Sequence, residues 1–293
     1  MVLVESRVTA VRRSERRVGA APAAASQPAA RNQMLTLLRE GSGHRPSVDP
    51  GLAGGLRAWL EDAAGELSCA RGESASPLFL GPRTLLAAPA PAAWEGRADP
   101  FSLELATSSL VRALFRQLVI AGSVGDPLTD GLDALRVDPA RAELVSFIET
   151  LGTTRRAELA DTVGIHLAHV ADITPRFSPG WLPRTGDRVA IPLAGGRVVL
   201  SGVFDLLVGA PVPGTASVCA IGLTTSGRWA RGRMTLHYLS LLETLRNGAP
   251  PFRLALVHSG AGRYAVEDVR EEHLRALVAH LAAHLTALAQ DRA

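Results

Sequence analysis

The chain has 293 residues, 47% of them apolar, enough for one large core or two small ones, and no apolar run reaches the roughly 18 residues that a membrane helix needs. All 31 basic residues are arginine, which suggests the codon usage of a GC-rich genome and excludes Schiff bases, a P-loop lysine and an amine-positioned water. Charge is uneven: residues 1–45 carry eight arginines against three acids, a net +5, and the rest carries 23 arginines against 25 acids, a net −2, which argues against a general phosphate-binding body.

Residues 1–45, with "RRSERR" and "GAAPAAASQPAA", read as an Arg/Ala-rich flexible tail in which "NQMLTLLREGSG" adds one helical turn or two. No apolar h-region follows the arginines, so a cytoplasmic protein is expected. Residues 46–153 read as a helical extension. Asp49-Pro50 starts a helix that sets Leu52, Leu56, Trp59, Leu60 and Leu67 on one side. "LFLGPRTLLAA" predicts a short strand and a turn, and "SSLVRALFRQLVIAG" an amphipathic helix closed by Gly122. Asp126, Asp130 and Asp133 lack the alternating spacing of a calcium loop and are expected as helix caps. A helix over 138–151 completes the extension, and a helix over 155–173 opens residues 154–293. There "DRVAIPLAGGRVVLSGVFDLLVG" predicts a hairpin across Ala-Gly-Gly-Arg. "ASVCAIGLTT" is apolar on both faces and predicts a central strand. A helix over 228–248, a strand over 251–260, a return strand over 263–269 and a final helix over 270–289 follow. This order predicts an α/β (α+β) fold, a small mixed sheet flanked by helices.

Three stretches carry a family likeness: "VVLSGVFDLLVG", "SVCAIGLTTSG" and "LHYLSLLETLRNGAPPFRLALVHSG". Over residues 155–290 the chain resembles the PD-(D/E)XK nuclease-like superfamily, in particular its RecB-like branch, and the resemblance implies a restriction-endonuclease-like fold. In active relatives an Asp and a Glu hold a divalent metal and a Lys orients the attacking water. Mg²⁺ takes carboxylates, waters and phosphate oxygens, and it stabilises the charge that develops on phosphorus. Carried onto this chain, the Asp falls on Asp205, the Glu on Gly222 and the Lys on Thr224. The supporting Gln and Tyr of relatives have no match: Thr235 and Leu239 are nearest, one residue off Met234 and Tyr238. His166 stands where RecB-like enzymes keep a metal-ligating histidine, so the implied metal residues are Asp205 and His166. Glu243 on the following helix is a candidate migrated acid, and Arg228 a candidate cation.

The resemblance therefore implies a catalytically inactive pseudo-nuclease that needs no cofactor and serves as a binding or scaffold subunit. Its implied partners are a protein and, through the arginine tail or the cleft, DNA held weakly. The alternative is a Mg²⁺- or Mn²⁺-dependent DNA nuclease with a rearranged site, and a third reading is a structural partner that no longer touches nucleic acid. Other constellations are explained structurally. His280 and His284 lack further zinc ligands. Ser201 and Ser226 lack a nucleophile elbow. Trp181 and Trp229 are expected in packing rather than base stacking, and Cys69 and Cys219 as buried small hydrophobes.

Overall fold

The computed structural model describes residues 2–4, 27–39, 47–72, 74–86, 101–225 and 229–291. Two pieces of the expected tail form elements: a strand β1 (Val2–Val4) and a helix α1 (Gln27–Arg39). Met34 and Leu38 of α1 are buried, so α1 docks on the body rather than standing apart from it. Helix α2 (Leu52–Arg71) begins where Asp49-Pro50 predicts, with the Asp49 carboxylate accepting the Gly51 N–H at 2.9 Å. Its leucine stripe is buried as expected, but Trp59 is 46% exposed, because its position turns off the face that meets the sheet. Cys69 near the end of α2 is exposed, unlike Cys219.

A short strand β2 (Leu78–Leu80) and a one-turn helix α3 (Pro82–Leu85) follow. Helix α4 (Leu103–Ala121) starts at Ser102, whose Oγ accepts the Leu105 N–H, and ends on left-handed Gly122, as glycine allows. Next come α5 (Pro127–Arg136), α6 (Ala142–Thr150) and α7 (Thr153–Ile173). Asp126 caps α5 through the Thr129 N–H at 2.7 Å, Asp130 accepts the Gly125 N–H at 2.8 Å, and Asp133 pairs with Arg136. Asp126 is thus the expected helix cap, whereas Asp130 and Asp133 lie within α5 and serve a turn and an ion pair instead.

The remainder runs β3 (Arg184–Leu193), β4 (Val198–Val208), β5 (Cys219–Thr224), α8 (Trp229–Asn247), β6 (Arg253–His258), β7 (Arg263–Asp268) and α9 (Glu271–Gln290). All seven strands join one mixed sheet in the order β1-β7-β6-β5-β4-β2, with β3 paired to β4. The β3–β4 turn uses positive φ at Ala194, Gly195 and Gly196, the conformation its glycines favour. Strand β5 is parallel to β6 and buried throughout, which is why it reads as a continuous apolar run.

Two cores lie on the two faces of the sheet. One unites α2, α8 and α9 with residues such as Leu200, Phe204 and Ala220. The other unites α1 and α4 to α7 with Leu206, Ile221 and Val257. The expected boundary between residues 153 and 154 therefore does not separate two packed bodies. The extension supplies α2 to one face and α4 to α6 to the other, and β2 adds a strand to the sheet itself, parallel to β4. The sequence order hides this because β2 lies far from its partner along the chain.

Candidate binding cleft

Strand β4 organises the site. Along one edge it pairs with β3 from Val198 to Leu207. Along the other edge it pairs with β2 at Val198–Leu200 and with β5 at Leu206–Val208. Residues 201–205 thus face a gap in the sheet between β2 and β5. The Tyr238 hydroxyl bridges the closed end of the gap, within 3.1 Å of the Leu80 carbonyl and 3.2 Å of the Ser201 carbonyl. Burial raises its pKa well above that of a free phenol, and the hydrogen bond to Ser201 only partly offsets that.

The β3–β4 pairing skips Gly186 and Asp205, with Gly186 in the left-handed region at φ 64°. At this break the Asp205 carboxylate turns toward β5 and accepts the Leu223 N–H at 2.7 Å. Arg112 on α4 completes the arrangement. It donates to the Leu223 carbonyl at 2.7 Å, and its Nε lies 3.7 Å from Asp205. A carboxylate and a guanidinium thus satisfy both backbone groups of Leu223 where the β4–β5 ladder has ended, as buried peptide groups require. Arg112 was not identifiable as a site residue from sequence; "LVRALF" marks it only as one arginine in an amphipathic helix.

Around this pair lies a cleft of about 540 Å³ between α3, α4, β4, β5 and α8. Gly222 and Thr224, where the resemblance would place an acid and an amine, line it. A Cβ on Gly222 would come within 3.3 Å of Leu236 and 3.5 Å of Leu256, so leucine side chains fill the space beside this position. Thr235 and Leu239 also line the cleft, whereas Tyr238 is buried and Met234 is 46% exposed. Three arginines face the cleft: Arg83, Arg112 and Arg231. Arg83 and Arg231 are exposed and make no ion pair or hydrogen bond among the described residues. Glu104 is the acid that faces the cleft besides Asp205, and Ser102, Ser108 and Thr225 add hydroxyls.

The other candidates lie elsewhere. Glu243 is 1% exposed and is bound by Arg246 and by Asn247 Nδ2 at 2.6 Å. Arg246 also reaches Asp187 at 3.0 Å. This network sits beside a small cavity near Val218 and Pro250, at the opposite end of β5 from Thr224. Glu243 therefore does not replace the missing acid: its helix position turns it inward, and its charge is held by Arg246. His166 lines a neighbouring cavity of about 330 Å³ that shares Glu104 and Thr225 with the main cleft. Its Nδ1 lies 2.7 Å from the Ser259 hydroxyl. Burial, and then the nearby His169 and His258, push its pKa below the ordinary value, which favours a neutral ring. Asp205 and His166 thus have protein partners in separate cavities, and among the described residues no group of three or more His, Cys, Asp or Glu side chains is arranged to hold a metal ion.

His280 is exposed and His284 half-buried on α9. Trp229 stacks on His258 at 6.2 Å, and Trp181 packs against Phe177 at 5.8 Å; both tryptophans pack as expected. Ser226 and Arg228 lie outside the described residues. Among those described, no helix is long and apolar enough to cross a membrane. Comparison of the chain with protein-family models, with curated proteins and with solved structures finds no match.

Proposed function

We propose that this protein is a nuclease-like binding or scaffold subunit without hydrolytic activity, whose cleft between α4, β4, β5 and α8 takes an anionic ligand of the nucleic-acid type. One observation carries the reading: the carboxylate that the resemblance places as a catalytic acid is bound to the Leu223 N–H and flanked by Arg112, while Arg83 and Arg231 face the same cleft with no acid partner among the described residues. The first half disfavours a bound metal, because the Arg112 guanidinium 3.7 Å from Asp205 repels a cation and, among the described residues, no group of three or more His, Cys, Asp or Glu side chains is arranged to hold one. The second half supplies planar donors for phosphate recognition, since among the described residues Arg83 and Arg231 hold no carboxylate, although Glu104 faces the same cleft. The net charge of −2 over residues 46–293 confines that attraction to the cleft and predicts weak binding.

The test is a paired assay on the full chain. With Mg²⁺ or Mn²⁺ present, single-stranded and duplex DNA remain intact with wild type and with Asp205→Ala. Metal-dependent cleavage lost in Asp205→Ala overturns the inactive reading. Fluorescence anisotropy with short DNA across a salt series gives binding at low salt that weakens as salt rises, with a shallower slope in the Arg83→Ala, Arg231→Ala double variant. An absence of binding at low salt refutes the nucleic-acid ligand and leaves a protein scaffold.

A further inference from the structure

A second cavity of about 400 Å³ lies at the other end of β5, within the roughly 300–1,000 Å³ span of small-molecule sites. Its wall is apolar, with Trp181, Phe252, Val208 and Cys219 inside and Leu182 and Val212 about half exposed. No Asp or Glu is among its described lining residues, and Arg39 is the charged one. The Arg39 guanidinium lies 5.1 Å from the Trp181 ring centroid, and among the described residues it has no ion pair or hydrogen bond. A guanidinium lying on an aromatic ring keeps its N–H donors directed outward, where a carboxylate can take them.

The walls are held in place without a ligand. The Gly209 N–H donates to the Trp181 carbonyl at 2.7 Å. The Ser217 hydroxyl donates to the Ala210 carbonyl and accepts the Val212 N–H, each at 2.8 Å. Leu182 is kept in the left-handed region at φ 49°, a conformation that residues other than glycine rarely adopt. Walls fixed in advance reduce the ordering cost of binding.

We propose that this cavity binds a small monocarboxylic acid with an apolar body, its chain against Trp181 and Phe252 and its carboxylate on Arg39. A cationic ligand meets an uncompensated guanidinium there, and a neutral apolar ligand leaves the donors of Arg39 unused; an apolar acid satisfies both the wall and the charge. The site is separate from the arginine-lined cleft, so its test is independent of nucleic-acid binding.

Cys219 reports on occupancy. In the full chain carrying Cys69→Ser, it is the one remaining thiol, and its alkylation by iodoacetamide is followed by mass spectrometry with octanoate or 1-octanol as probes. The expected result is saturable protection by octanoate, with a half-protecting concentration that rises about tenfold in Arg39→Met, the loss that follows from removing a hydrogen bond to a charged group. Protection by 1-octanol is the same in both proteins. Arg39 is exposed, so the variant retains the fold. Calorimetric titration with octanoate decides the matter independently of thiol reactivity, with the same tenfold weakening expected. Equal affinity for octanoate in wild type and Arg39→Met, or no saturable binding of octanoate, overturns the proposal.

Discussion

Replacing Asp205 by alanine distinguishes a carboxylate that holds the fold together from one kept for chemistry. Leu223 is 2% exposed, and its N–H has the Asp205 carboxylate as acceptor at 2.7 Å. Removing that acceptor strands a buried donor, which costs about 1–3 kcal/mol. The ion pair with Arg112 adds less than about 1 kcal/mol, because that side chain is half exposed and 3.7 Å away. The expected loss is therefore about 2 kcal/mol, equivalent to a fall in Tm of roughly 3 °C for a chain of this size. Asp205→Asn keeps one oxygen acceptor and loses about half as much. Urea unfolding followed by circular dichroism measures the change as a shift in midpoint at constant m. Amide exchange at Leu223 reports the local event and accelerates in the alanine variant. A carboxylate retained at a functional site behaves in the opposite way, since its removal is often neutral or stabilising. An Asp205→Ala protein as stable as wild type, with Leu223 exchange unchanged, refutes the structural role.

Glu243→Ala leaves Asp187 as the carboxylate on the Arg246 guanidinium and lowers stability by about 2–3 kcal/mol, with DNA binding at low salt unchanged; altered binding in anisotropy refutes the placement of Glu243 outside the site. Glu267 on β7 yields a pH dependence: burial opposes its ionisation, but hydrogen bonds from His237 and Arg233 and their positive charge outweigh that and bring its pKa down to about 2, from an ordinary 4.5. A depressed carboxyl pKa stabilises the fold fully above the unfolded-state value and loses that contribution as pH falls from about 4.5 toward 2. The term is about 3 kcal/mol, and it disappears from acid titrations of stability in Glu267→Gln. Gly209 has φ 103°, and a Cβ there would meet the Ser217 carbonyl oxygen at 2.7 Å, so Gly209→Ala lowers stability by about 2 kcal/mol or more in thermal unfolding.

Much of the fold was legible in the sequence because its signals are local. The Gly-Gly turn between β3 and β4, the leucine stripe of α9 and the all-apolar run of β5 each report a neighbourhood set within about ten residues, and period and turn chemistry suffice for those. The burial of α1 and the place of β2 beside β4 were not legible, since a three-residue strand acquires its meaning from a partner distant in the chain. The candidate site divides in the same way. That glycine stands at 222 and threonine at 224, where the nuclease resemblance would place an acid and an amine, is read from the sequence alone, as is the absence of any lysine. What Asp205 does instead was decided by tertiary structure. The ladder between β4 and β5 ends at the Leu206–Ile221 pair, a buried N–H and a buried carbonyl on Leu223 are left over, and α4 brings Arg112 to the same place. Satisfying those two groups depends on distances between segments that no local pattern encodes, and the same is true of the convergence of Arg83, Arg112 and Arg231 on one cleft.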